Sequence, residues 1–119
     1  MKRILDTVHG YIMVDEKFMD HIIDTPLFQR LRRIEQTSIR CVFPSARHDR
    51  FIHSLGVFHI GGLIVNQFRI DALSNNNWNK TEAVLETIYG SYLSACLLHD
   101  IAHAPFSHTF EKYYGQKNN

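Results

Sequence analysis

Arg50-Phe51-Ile52-His53-Ser54-Leu55-Gly56-Val57-Phe58-His59-Ile60-Gly61-Gly62-Leu63-Ile64 opens a run whose apolar positions recur in helical steps. His53, Val57, Ile60, Ile64, Phe68 and Ala72 fall three or four residues apart. That spacing predicts a long α-helix from about Arg50 to Leu73 with those residues on its inward stripe. Gly56, Gly61 and Gly62 are poor helix formers, so inside a helix they mark the close approach of another backbone.

Downstream, Ser74-Asn75-Asn76-Asn77 reads as a polar loop. A second helix is expected from Thr81, a good N-cap with Glu82 in the first turn, along the stripe Val84, Ile88, Tyr92, Ala95, His99. Pro105 then opens a short helix from Phe106 to Tyr114. Upstream, residues 37–49 contain Pro44 and little periodicity, which predicts a connecting loop. Pro26 sits where a helix begins, with Leu27, Phe28, Leu31 and Ile34 inward and Arg30, Arg32, Arg33 and Glu35 mostly outward. Asp15 can cap a helix from Glu16 to about Asp24 that carries Phe18, Met19, Ile22 and Ile23 on one side. Residues 1–14 alternate loosely about His9-Gly10, an extended segment with a turn at the glycine. The expected class is all-α with a short N-terminal β-ribbon.

Composition bounds the function. The 119 residues suit one small domain, and 45% hydrophobic content is enough for a core. A formal net charge of +1 gives no strong nucleic-acid signal. Uninterrupted apolar runs fall short of the roughly 18 residues of a membrane span, so no membrane partner is expected. The start, Met1 to Asp6, is no secretory signal. Cys41 and Cys96 sit among apolar neighbours and read as reduced core residues of a cytoplasmic protein.

The eight histidines stand out. Six of them (His48, His53, His59, His99, His103, His108) fall in two short clusters, and histidine is both the commonest metal ligand and a near-neutral acid or base. His53 and His99 lie on stripes that must face a shared core. Asp100 follows directly, and a buried carboxylate is costly without a partner. A divalent cation held by His53, His99 and Asp100 satisfies all three; a His–Asp ion pair at a helix end is the simpler alternative. Mixed nitrogen and oxygen ligation suits Mn, Fe, Zn or Ni, with Mg also compatible. His103, four residues after His99, would share its helical face, and His108 follows the Pro105 turn with Glu111 three residues on to hold its tautomer. Arg50, one turn before His53, is either a phosphate ligand or a solvated arginine at a helix start.

These residues resemble a family. Phe43 to Val57 is similar to the first signature of the HD-domain dNTP triphosphohydrolases, and His99 to Phe110 to the second, with the His-Asp doublet. Asp6-Thr7-Val8-His9-Gly10 and Asp24 to Arg32 also match. The nearest branch holds the mammalian SAM-and-HD-domain dNTPase and its bacterial relatives. The resemblance implies His53, His99 and Asp100 as metal ligands, Arg50 and Gln36 on substrate phosphate and sugar, and His103, His108 and Glu111 as catalytic groups about the α-phosphate. It implies a guanine-nucleotide regulatory site at Asp24, Gln29 and Arg32; packing of the N-terminal helices is the plainer reading of that motif. It also implies a homo-oligomer, and a fourth ligand, an aspartate, beyond residue 119, so the chain is expected to be the N-terminal portion of a single HD domain. Ile52, Asp49, Ala102 and Ala104 depart from the usual Glu, Thr or Asn, and glycines, and Thr37 to Val42 is one residue short. The implied reaction is hydrolysis of a dNTP to a deoxynucleoside and triphosphate. The alternatives are another nucleotide phosphomonoesterase or phosphodiesterase of the superfamily, or a non-catalytic nucleotide-binding or oligomer-forming module.

Overall fold

In a computed structural model of the chain, residues 1–75 and 78–103 are described, the side chains of 78–81 excepted. The expected helix from Phe106 to Tyr114, with His108 and Glu111, lies outside the described residues.

The chain begins with an antiparallel hairpin, β1 (Lys2–Asp6) and β2 (Gly10–Val14), in the register Lys2↔Val14, Ile4↔Ile12, Asp6↔Gly10. Its turn closes because the Asp6 carboxylate accepts from the backbone N–H groups of Val8 and His9, and because Gly10 takes φ +71°, a conformation costly for other residues. Side chains alternate along β2, so Ile12 and Val14 are buried while Tyr11 and Met13 face solvent.

Asp15 caps the next element as expected, its carboxylate accepting from Lys17 N. The α-helical turn α1 (Glu16–Phe18) continues as a π-helical turn over Met19–Ile23, which buries Ile23. Thr25 caps α2 (Pro26–Gln29), its hydroxyl accepting from Phe28 N at 3.4 Å. A 3-10 turn over Arg30–Arg33 extends α2. Here the expected facing fails at two positions, the first being Leu27, which is exposed rather than inward. Arg32 and Arg33 do face outward, but Arg30 turns inward. Residues 37–49 are a loop containing a 3-10 turn (Ser38–Cys41), with a β-bridge between Glu35 and Asp49 closing its ends. Cys41 is exposed, not a core residue, because that turn buries nothing; Cys96 is buried as expected.

The long helix is α3 (Arg50–Ser74), capped by the Asp49 carboxylate on Ile52 N. It lies antiparallel to α4 (Trp78–Leu98): Arg50 meets Asp100, Gly61 meets Tyr92 and Cys96, and the Arg69 guanidinium sits 5.3 Å from the Tyr89 ring. The start of α4 precedes Thr81 by three residues. The buried face of α3 also differs from the expected stripe. Phe51, Leu55, Phe58 and Val65 are buried, whereas Ile60, Ile64 and Phe68 are exposed. On α4, Leu85, Leu93, Cys96 and Leu97 are buried, whereas Val84, Ile88 and Tyr92 are exposed. Both helices are apolar over most of their circumference, so more than one stripe fits the sequence and contacts select the buried one. By length and composition α3 is also apolar enough to cross a membrane, a test that core helices of soluble proteins pass too.

The core gathers Ile12, Val14, Ile23, Phe28, Leu31, Ile34, Phe51, Leu55, Phe58, Leu93 and Leu97. Phe28 meets Phe51 edge-on at 5.4 Å between centroids, as does Phe18 with Phe58. These contacts seat the hairpin and the N-terminal turns across the first half of α3.

The helix glycines approach side chains rather than another backbone. A Cβ at Gly61 would stand 2.9 Å from Cys96 Sγ, and one at Gly56 3.1 Å from His9 Nε2, while Gly62 has nothing within 4 Å. Gly62→Ala is therefore expected to stabilise the protein by roughly 0.5–1 kcal/mol through helix propensity. Gly61→Ala is expected to destabilise it, because overpacking of about 1–3 kcal/mol outweighs that gain. Urea unfolding checks both, and Cys96→Ala should reduce the cost of Gly61→Ala, leaving the contact with Tyr92 Cε1 at 3.3 Å.

Candidate metal centre

The site forms where α3 begins and α4 ends. Arg50 is the first residue of α3, and His53 lies one turn along it. The chain leaves α4 after Leu98, so His99 and Asp100 sit in the turn beyond it. His99 N still donates to Ala95 O, and Ile101 N to Leu98 O, which fixes the direction of the exit.

The result brings the three expected ligands together. His53 Nε2 and His99 Nε2 are 3.3 Å apart, and Asp100 Oδ2 lies 3.5 Å from the first and 3.6 Å from the second. Two donors about 2.0–2.1 Å from one ion stand roughly 2.8–3.0 Å apart at octahedral angles and roughly 3.3–3.4 Å apart at tetrahedral ones. The imidazole pair meets that spacing and the carboxylate is within a few tenths of an ångström of it. Among the described residues this is the one group of three such donors within 4.8 Å of one another.

Protonation also fits. His99 Nδ1 is 2.8 Å from the carbonyl oxygen of Cys96, which can only accept, so Nδ1 carries a hydrogen and Nε2 is the ring nitrogen turned to the site. Burial pushes the His53 imidazole below its ordinary value; the Asp100 carboxylate opposes this, while His99, Arg50 and His48 add to the lowering. His53 is thus neutral near pH 7, the form a metal requires. Neither imidazole is sealed in a core. Both remain partly open to solvent, at the rim rather than on the buried stripes expected for them.

Asp100 is the buried member, 7% exposed. Arg50, 2% exposed, places Nη1 2.8 Å from Asp100 Oδ2. Arg50 is therefore not a solvated arginine at a helix start. His103 does not share a helical face with His99, because α4 has ended. It reaches the site differently, with Nε2 3.4 Å from Asp100 Oδ1.

Gln36 is tied by its backbone to His48, a wall residue of the cavity beside His53, its N–H donating to His48 O at 3.2 Å. Its side-chain Oε1 is buried without a hydrogen-bond partner among the described residues. Asp24, Gln29 and Arg32 are all engaged locally. Arg32 Nε donates to Gln29 Oε1 at 2.7 Å and its guanidinium lies 3.7 Å from the Phe51 centroid, Gln29 Nε2 donates to Ile23 O, and Asp24 is 3.7 Å from Lys2 Nζ. A cavity of about 500 Å³ opens beside His53, with His9, His48, Ile52, Ile60 and Tyr92 in its walls. Sequence reading missed the Cys96 carbonyl and Arg30, whose contacts depend on the turn after α4.

The HD domain family model matches residues 50–119. The chain is 41% identical over 111 residues to the uncharacterised protein YwfO of Bacillus subtilis, covering 92% of this chain and 23% of that protein. It is 36% identical over 116 residues to the deoxynucleoside triphosphate triphosphohydrolase SAMHD1 homolog of Dictyostelium discoideum, covering 97% of this chain and 21% of that protein. A phosphohydrolase structure from Bacteroides thetaiotaomicron superposes with a TM-score of 0.71 at 38% identity, over 93% of this chain and 26% of that one. The chain thus spans about a fifth to a quarter of the relatives it matches.

Two outcomes follow from the geometry. Arg50→Met leaves the Asp100 carboxylate without its 2.8 Å partner and is expected to cost about 3–5 kcal/mol in urea unfolding, part of which Asp100→Asn restores in the double variant. Because the folded state resists the His53 proton, its contribution is complete above the ordinary value of 6.5 and is lost as pH falls through the lower folded value. Melting temperatures of the metal-free protein from pH 7.5 down to 5 should therefore fall more steeply than those of His53→Gln.

Proposed function

Since the chain belongs to the HD-domain family, we propose that the intact protein is a metal-dependent nucleotide phosphohydrolase that converts a dNTP to a deoxynucleoside and triphosphate. The observation that carries this reading is the convergence of His53 Nε2, His99 Nε2 and the Asp100 carboxylate within 4.8 Å, beside a buried arginine.

His53, His99 and Asp100 would hold a divalent cation, with Mn, Fe, Zn, Ni and Mg all compatible with the donor set. Such a cation supplies Lewis acidity, which lowers the pKa of a water and polarises a phosphoryl oxygen. The protein's own groups do the rest. Arg50 fixes Asp100 and places positive charge where phosphate charge develops. In the reaction a water oxygen bonds to the α-phosphorus and the water gives up a proton, the bond from that phosphorus to the 5′ oxygen breaks, and the 5′ oxygen takes up a proton, so that protons balance overall. His103, already turned toward Asp100, and His108 are the candidate donors, with Glu111 orienting His108. Gln36 is assigned to substrate contact, and its buried Oε1 supports that role.

A guanine-nucleotide activator at Asp24, Gln29 and Arg32, and a homo-oligomeric assembly, belong to the same proposal. The two free cysteines suit a reducing compartment and support a cytoplasmic location.

The test is product analysis of the full-length protein with each of the four dNTPs, with and without GTP. Triphosphate and deoxynucleoside are the expected products; nucleoside monophosphate or inorganic phosphate would point to a different phosphohydrolase. His99→Ala with Asp100→Ala should lose bound metal and at least about 100-fold of the activity. Triphosphate release that persists in the double variant rejects the mechanism.

A further inference from the structure

The turn that carries Asp100 and His103 begins where α4 runs out, and helix ends leave carbonyl groups without intrahelical partners. Among the described residues, two backbone bonds hold this turn to itself, Ile101 N to Leu98 O at 3.1 Å and His103 N to Asp100 O at 3.1 Å. Its outward carbonyls are met from a distant part of the chain. Arg30, in the 3-10 turn after α2, donates from Nη2 to Ile101 O at 2.6 Å and to His103 O at 3.2 Å. The guanidinium is partly buried there, and its contacts span 71 and 73 residues of sequence.

A charged donor on two carbonyls of one turn makes charge-assisted hydrogen bonds, which are stronger than neutral ones. Arg30 bonds the carbonyls on either side of Ala102. It thereby fixes the backbone between Asp100, whose Oδ2 faces both imidazoles, and His103, whose Nε2 faces Asp100 Oδ1. Arg50 restrains the Asp100 side chain while Arg30 restrains the backbone that follows it.

We propose that Arg30 is a positioning residue of the metal centre, which acts through the Ile101 and His103 carbonyls to hold Asp100 and His103 in working geometry. The proposal rests on the metal-centre reading above. It also gives the N-terminal turns a part in the chemistry, since Gln29 and Arg32 flank Arg30 in the same short segment.

The experiment is calorimetric titration of the metal-free full-length protein with Mn²⁺ alone, well below the melting temperature, followed by kinetics. Arg30→Met is expected to weaken Mn²⁺ binding about 10-fold or more and to lower kcat with KM little changed. Arg30→Lys keeps the charge but ends one bond short, so it shows the same loss in milder form and carries the test if Arg30→Met does not fold. Arg33→Met, an exposed arginine of the same turn, should match wild type in both measurements. A lowered melting temperature with unchanged Mn²⁺ affinity and kcat in the Arg30 variants overturns the proposal. Failure of wild type itself to bind Mn²⁺ would instead sink the metal-centre reading.

Discussion

A guanidinium and a carboxylate, both shut away from water, hold this structure to one arrangement. Burying either charge is costly and each is best offset by the other, so the fold brings both to the same point. One begins α3 and the other lies just past the end of α4, so their meeting sets the register of the antiparallel pair. Given that register, Gly61 falls beside Cys96 and Arg69 beside Tyr89. The same register carries His53, one turn into α3, up to His99. The candidate metal centre thus depends on helix pairing for His53 and on the turn after α4 for His99 and Asp100.

How much of this was legible in the sequence depends on the kind of signal. The bounds of α3 were nearly right because Asp49 and the asparagine run after Ser74 are strong local stops. The cap at Asp15 was read from a single residue whose short side chain reaches the backbone directly, while the helix start at Pro26 was read from the proline and its Thr25 cap was not. The inward stripe of α3 was not legible. Phe51, Leu55 and Phe58 compete with Val57, Ile60 and Ile64 for the same role, and hydrophobicity does not rank them. Shape does: Phe51 and Phe58 find Phe28 and Phe18 as edge-on partners, which no local pattern announces.

The site was legible as a set of residues and less so as a geometry. His53, His99 and Asp100 do converge, but the imidazoles sit at a rim and only the aspartate is deeply buried. His103 was placed on a helix that has already ended. Arg50 was weighed as a phosphate ligand or a solvated residue, and it first serves Asp100. Backbone partners such as the Cys96 carbonyl carry no sequence identity at all, since any residue supplies one. Such contacts are invisible to motif reading.

Gly56 has a further meaning. The His9 imidazole rests where a side chain at 56 would begin and leans on the His59 ring 5.3 Å away, so the hairpin turn is keyed to one face of α3. Residues 9, 56 and 59 are therefore coupled through space. A side chain at 56 requires the His9 imidazole to give way by a few tenths of an ångström, which its contact with His59 resists. The cavity beside His53 has both His9 and Gly56 in its wall, so drift in that trio would reshape the approach to the metal centre without altering any ligand.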